Sequence, residues 1–375
     1  MTTQLPRLRS ALVTLTTALM GLLLLGAPAA QAAPFAYITN ASSNNVTVID
    51  TATNIATALV SVGINPQGVA VNPASARVYV TNVSSNTVSV LDTASNTVVA
   101  TVAVGANPLG VAVNPAGTRV YVGNVSSNTV SVLDTTSNTV IATVTVGTNP
   151  EGVVVNPAGT RVYVANFGTN NVSVLDTATN TVIATVGVGS APIGVAVTPD
   201  GARVYVGNSG GAGTVSVINT ATNTVTATVG VGAGPYGVAV NPAGTRVYVT
   251  NSSTNTVSVI DTTTNTVTAT VVAGSSFPRG VAVNPAGTRL YVAIPAFGNV
   301  SVLDTATNAI TATLTVGTSP IAFGLFIGPG AAPPPPPPPP PSTIGPIPTL
   351  SQWSLLLLGI VLAGLGAAQL QRRAL

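Results

Sequence analysis

The sequence predicts an all-β fold: a seven-bladed β-propeller closed by its N- and C-terminal strands in one blade. Three observations predict it. A phrase of about forty residues, G-V-A-V-N-P-A-G-T-R-V-Y-V-x-N then T-V-S-V-[IL]-D-T-x-x-N-T-V-x-A-T-V-x-V-G, fills most of the 375 residues. Its tyrosine recurs at Tyr37, Tyr79, Tyr121, Tyr163, Tyr205, Tyr248 and Tyr291, a spacing of 42 or 43, which is the period of a four-stranded blade. The array also starts and stops inside the phrase. The first copy opens directly at Ala36-Tyr37-Ile38-Thr39-Asn40, and the last Pro-x-Gly turn, from Pro320, is followed by an unmatched G-L-F-I-G-P at 324–329. Termini that complete one blade jointly remove the free edges an open array would expose.

Each copy offers four short runs of Val, Ile, Thr and Tyr, broken by Asn-Pro, Ala-Gly and Asp-Thr-x-x-Asn turns, the pattern of successive antiparallel strands. In the second copy these are 68–71 (strand a), 77–82 (b), 87–92 (c) and 97–104 (d). Helix has little support, because Gly or Pro interrupts every few positions.

The phrase resembles the YVTN family of β-propeller repeats, whose tetrapeptide stands here as Tyr79-Val80-Thr81-Asn82 and Tyr248-Val249-Thr250-Asn251. Other copies read Y-I-T-N, Y-V-G-N or Y-V-A-N, and the seventh departs as Tyr291-Val292-Ala293-Ile294. The resemblance covers residues 34–330 and implies the fold. It implies little about activity, since one fold hosts many functions.

Three segments flank the ring. Residues 1–32 read as a signal peptide: Arg7 and Arg9, an apolar stretch over 11–25, then Ala30-Gln31-Ala32 as a cleavage site. Within 331–346, the nine prolines from Pro333 to Pro341 form a polyproline II stalk, on the order of 28 Å long at about 3.1 Å per residue. The tail, 347–375, begins Ile347-Pro348-Thr349-Leu350-Ser351-Gln352-Trp353 and ends in Arg372-Arg373. It resembles the IPTL-type C-terminal sorting signals of Gram-negative bacteria, related in design to the tails that exosortases recognise. Those signals have Glu then Trp-Gly where this chain has Gln352 and Trp353-Ser354. The resemblance implies a sorting protease or transpeptidase as a partner. Read physically, about eighteen apolar residues suffice to span a bilayer as a transmembrane helix, with Trp353 at the outer interface and the arginines inside. The expected location is therefore the inner membrane or the cell surface.

Charge and composition exclude several classes. The formal charge is +3, but Arg7, Arg9, Arg372 and Arg373 belong to the flanks, so in the ring seven arginines face eight acids, a net of −1. No basic stripe calls for nucleic acid. There is no His, no Cys and, since all eleven basic residues are arginine, no Lys. The usual bases, thiol nucleophiles and imidazole metal ligands are missing, so no catalytic, metal or cofactor site is expected. Six arginines (Arg77, Arg119, Arg161, Arg203, Arg246, Arg289) start strand b, and six aspartates (Asp50, Asp92, Asp134, Asp176, Asp261, Asp304) end strand c. Those ends are adjacent in an antiparallel pair, so Arg77 is expected to reach Asp92, and likewise in four other blades. Asp50 has no arginine, and Arg203 faces Asn219.

Differences between copies are one-sided. The a–b and c–d turns barely vary, whereas the d–a and b–c loops do, and in an up-and-down blade those two loops emerge on one face. The residue inside Pro-x-Gly is Gln67, Leu109, Glu151, Ile193, Tyr236 and Arg279 in turn, with Ile321 opening the last. Length changes fall at 209–213, 275–276 and 321–323. Phe167, Phe277, Phe297 and Phe323 join Tyr236 in these loops, where exposed aromatics would anchor a protein or glycan ligand. Candidate binding residues are thus Gln67, Glu151, Phe167, Tyr236, Phe277, Arg279, Phe297 and Phe323. The residues leave three readings open: a non-enzymatic binding or adhesion scaffold, an envelope structural protein without a specific ligand, and a propeller hydrolase or lyase.

Overall fold

The computed structural model describes residues 34–328, apart from positions 75 and 275. Along them run six four-stranded antiparallel sheets and one three-stranded sheet, each paired in chain order. These are the seven blades. Blade 2 comprises Pro66–Val71, Arg77–Asn82, Thr87–Asp92 and Thr97–Ala103. Strands b and c have the expected bounds, and strand d stops one residue early.

Strand a starts earlier than the sequence suggests, because Pro-x-Gly is its first turn of ladder and not a loop. Pro66 lies opposite Asn82 and Val69 opposite Val80, with a register irregularity between them. Proline is tolerated as the first residue of a strand, and the reversal falls one residue before it, at Asn65 with φ 58°. The glycine answers a close approach. A Cβ on Gly68 would lie 1.9 Å from the carbonyl oxygen of Leu109 in the next blade, and one on Gly110 2.0 Å from that of Glu151. Bare backbone at this position lets the innermost strands converge around the axis.

At the c–d turn, Asp92 Oδ1 accepts the backbone N–H of Ala94 and Ser95 at 3.1 and 2.9 Å, and Asn96 takes φ 53°. This is an Asx turn. The Ser95 hydrogen bonds, ahead of Arg77, hold the Asp92 carboxyl below the usual carboxylate range. Registers place every expected Arg opposite its Asp, yet among the described residues ion pairs form at Arg77–Asp92 and Arg161–Asp176. The expectation of five is corrected. Arg246 and Arg289 instead donate to the carbonyls of Thr305 and Thr51 in the following blade, both at 2.8 Å, and Arg203 does the same to Thr262. The aspartates are already satisfied by their own turns, which frees the guanidinium to cross the blade junction.

Core forms between blades. Tyr121, Val130 and Val132 of blade 3 pack with Val162, Val164 and Leu175 of blade 4, and the motif repeats around the ring. Tyr205 Oη donates to Asn265 Oδ1 of the next blade at 3.0 Å. Tyr291 Oη donates to Asn54 Oδ1 at 2.9 Å, so the seam between the last blade and the first carries the same bond as an internal junction.

Segment 320–328 completes blade 1. It bridges Phe35–Asn40 antiparallel at Ala36–Ile327 and Asn40–Pro320; the Tyr37 N–H reaches the Phe326 carbonyl and the Ile321 N–H the Thr39 carbonyl, both at 2.9 Å. Its other edge meets blade 2, whose Val69 and Val71 N–H groups donate to Phe323 and Leu325 at 2.9 and 3.1 Å. Pairing begins at Pro320, four residues before the expected start, because the Pro-x-Gly element belongs to the strand. The Gly328 N–H donates to Phe35 at 3.3 Å, and Phe35 lies opposite Asp50 at a c–d turn. The chain therefore leaves the ring on the invariant-turn face.

Every core cluster draws on residues between Phe35 and Ile327, so residues 33–330 carry a complete core of their own. The expected signal peptide, stalk, apolar helix and Ile347, Pro348, Thr349, Leu350 and Trp353 lie outside the described residues. Among the described residues no helix is long and apolar enough to cross a membrane.

Candidate functional site: the variable-loop face

The variable face is held by repeated asparagine staples. Asn44 Oδ1 accepts the N–H of Asn65 at 2.9 Å, and Asn86, Asn128, Asn170 and Asn255 serve Asn107, Asn149, Ala191 and Phe277 at 2.9, 2.9, 2.8 and 2.9 Å. Each staple ties a b–c loop to the d–a loop of the next junction. The loops are thereby fixed on a rigid rim, which is where binding residues gain most from a scaffold.

At the centre of this face the second residues of strands a converge on the axis. Leu109, Ile193, Tyr236, Ile321 and Phe323 are buried together, with Ala41, Val83 and Val125 packed on them. They plug the channel mouth. The Tyr236 and Phe323 rings meet edge to face, 5.3 Å between centroids, and the Arg279 guanidinium stacks 4.3 Å above Tyr236. Gln67, Glu151 and Arg279 are half-buried around the plug, and Gln67 Nε2 donates to Asn65 Oδ1 at 3.2 Å. Burial pushes the Glu151 carboxyl up to about 7, against the opposing pull of Arg279. Burial also pushes the Tyr236 hydroxyl up to about 12.

Two of the expected exposed aromatics are thus corrected: Tyr236 and Phe323 fill the axis, because residues from several blades meet there and exclude water. The other three are exposed. Phe167, in the b–c loop of blade 4, is 37 % exposed, and Phe277 and Phe297, on the two loops of blade 7, are 56 % and 55 % exposed. Phe277 occupies the left-handed position that Asn65, Asn107 and Asn149 fill elsewhere, with φ 47°. A bulky side chain in that region is a true outlier and costs on the order of 1–2 kcal/mol; the Asn255 staple holds it there. Phe297 ends a short 3₁₀ turn, Pro295–Phe297, closed by Gly298 at φ 62°. Blade 7 is the irregular one throughout, with strand a reduced to Val281–Val283.

Sequence reasoning noted Leu109, Ile193 and Ile321 as variants and did not see them as one cluster with Phe323. The common place of Leu109 and Ile193, two residues ahead of a V-A-V run, was the available signal; Ile321 follows its proline as they do but leads into A-F-G-L. Among the described residues no group of His, Cys, Asp or Glu could hold a metal.

Glu151 makes the mouth pH-sensitive. Its folded pKa, about 7, lies above the ordinary carboxyl value of 4.5, so the folded state holds the proton more tightly and stability declines as pH rises from about 4.5 through about 7. At about 1.4 kcal/mol per pKa unit, reduced by solvent screening at a half-exposed rim, the loss is on the order of 2 kcal/mol. The wild type is expected to melt a few degrees lower at pH 8 than at pH 5. In Glu151→Gln that difference should vanish; equal pH profiles for the two proteins would refute the assignment.

Comparison with known proteins follows the same lines. A family model for YNCE-like beta-propellers matches residues 9–326, and one for the IPTL-CTERM motif matches residues 346–373. No curated protein matches the sequence. Among solved structures, the chain is similar to Kuenenia stuttgartiensis hydrazine synthase, at TM-score 0.63 and 23 % identity over 68 % of this chain and 87 % of that one. It is also similar to a functionally unknown protein from Desulfotomaculum acetoxidans DSM 771, at TM-score 0.65 and 17 % identity over 77 % and 99 %. At these identities the likeness is one of fold. A propeller joined to the C-terminal motif is the make-up of an exported, cell-surface-associated protein. The chain belongs to the YNCE-like beta-propeller family.

Proposed function

We propose that this protein is a non-enzymatic binding or adhesion scaffold, tethered through its C-terminal segment to the envelope of a Gram-negative cell, that meets a protein or glycan through its variable-loop face. The observation that carries the reading is Phe277, an exposed aromatic held in a costly left-handed conformation on the variable-loop face, which also carries exposed Phe297. Strain of this kind persists where surrounding structure over-determines it and clusters at binding sites. The last described residue, Gly328, lies on the invariant-turn face, opposite the variable loops, which supports the reading. Anchoring in the inner membrane by the apolar tail, and its recognition by a sorting protease or transpeptidase, belong to the same proposal.

The test is a glycan array and a pull-down with residues 33–330. Phe277→Ala with Phe297→Ala should weaken a captured ligand at least tenfold and leave the melting temperature in place, since each exposed anchor contributes about 1–2 kcal/mol or more. Thr118→Ala with Thr160→Ala, in the opposite turns, should change nothing. Affinity that follows the threonine pair would overturn the choice of face. The Tyr236→Ala, Arg279→Ala pair is a poorer probe, because Tyr236 belongs to the buried plug.

A further inference from the structure

Below the plug the axial channel contains a second compartment. At the level of the Pro-x-Gly glycines it narrows to a void of about 30 Å³ bounded by Gly110, Gly152, Gly194, Gly237, Gly280 and Gly324. That is room for about one water. Beyond this waist a chamber of about 240 Å³ opens, walled by the last three residues of strands a in blades 3 to 6, with Val281, Pro157, Gly324 and Leu325. No polar or charged side chain lines it; its polar surface is backbone. Val113, Val155, Val197 and Val240 end their strands at the a–b turns, opposite Val120, Val162, Val204 and Val247. The chamber therefore faces the invariant-turn side, the opposite end from the candidate binding loops, and is stopped at its inner end by the waist.

We propose that this chamber binds one unbranched alkyl chain of about six to eight carbons, inserted from the a–b turn face with its polar end left among the Asn-Pro-Ala-Gly-Thr turns. Volume sets the length: at about 30 Å³ per water-sized group the chamber holds about eight such groups. Chemistry sets the class. A buried water needs two to four polar partners, and an apolar cavity of about 150 Å³ stays dry and takes small hydrocarbons. Valines and alanines contributed by successive blades make an unbroken apolar wall, which suits an alkyl chain, and the glycine waist arrests it. The inference is independent of the loop-face reading, because it uses none of the same residues.

The test is methyl NMR on residues 33–330 titrated with 1-butanol through 1-decanol. Saturable shifts are expected at Val113, Val155, Val197, Val240 and Leu325, with affinity rising about fourfold per added carbon up to about eight carbons and no further. Leu325 lines the chamber while 63 % exposed, so Leu325→Trp should fill the bore, abolish the shifts and leave the melting temperature unchanged. If that variant does not fold, xenon-pressurised crystals of the wild type should show xenon in the chamber. Octyl glucoside, a single-chain amphiphile, should compete with 1-octanol below its micelle threshold, and two-chain dioctanoyl phosphatidylcholine should not. Absent saturation, an affinity that keeps climbing past ten carbons, shifts confined to outer-strand Ile55 and Leu59, a crystal without xenon in the chamber, or competition by the two-chain lipid alone would overturn the proposal.

Discussion

A chain ending at Thr318 is expected to lose the cooperative ring altogether. The deletion removes Ile321, Phe323 and Phe326, all buried, Phe326 fully so. It also removes the backbone bonds from Tyr37, Val69 and Val71 into the closing segment. Loss of one large buried side chain costs about 3–5 kcal/mol, and the whole domain is worth only about 5–15 kcal/mol. Three such losses together exhaust it. Two edges, Phe35–Asn40 and Pro66–Val71, would then stand unpaired and template aggregation. Thermal melting with light scattering reads both effects. The point version, Phe326→Ala, should cost about 3–5 kcal/mol by denaturant titration, and unchanged melting of the truncated chain would contradict the closure scheme.

Gly110→Ala is expected to be nearly as damaging, although it adds one methyl group. Its Cβ would fall 2.0 Å from the Glu151 carbonyl oxygen and 3.0 Å from the Val153 nitrogen, and both are backbone atoms of the neighbouring inner strand. No side chain can turn aside. Relief requires separating two blades, so the cost should be about 3 kcal/mol or more, at the upper end of overpacking penalties. Gly187→Ala is the control: nothing lies within 4 Å of its added Cβ, and the change should stay within about 0.5 kcal/mol. Urea titrations of the two variants compare them directly. Equal stabilities would mean the inner strands are further apart than described.

Most of the fold was legible because the repeat enforces it. Forty-odd positions read seven times over make the strand pattern, the turn asparagines and the shared blade visible without any contact being known. What stayed hidden depends on convergence. Pro-x-Gly looks like a turn in one copy, and only the approach of Leu109 to Gly68 across a blade boundary explains why the glycine lies in a strand. Tyr236 and Phe323 read as loop aromatics, yet the axis gathers them with Leu109 and Ile193 into a plug. The Arg–Asp pairs were correct in register and incomplete in contact, since Asx turns compete for the carboxylates. Phe277 and Phe297 were legible as departures from the repeat; the left-handed backbone of Phe277 was not.

Ring closure places everything else: the plug, the chamber, the free face and the exit of the chain. Because the protein has no cysteine, a single introduced pair tests it. Ala36 and Ile327 lie opposite each other as an antiparallel bridge, and such partners sit at about 4.5–5.5 Å between Cα atoms, within disulfide reach. Mild oxidation of the Ala36→Cys, Ile327→Cys chain, followed by peptide mass spectrometry, should give a monomer with residues 36 and 327 joined. Two free thiols, or disulfides only between chains, would contradict the closed ring.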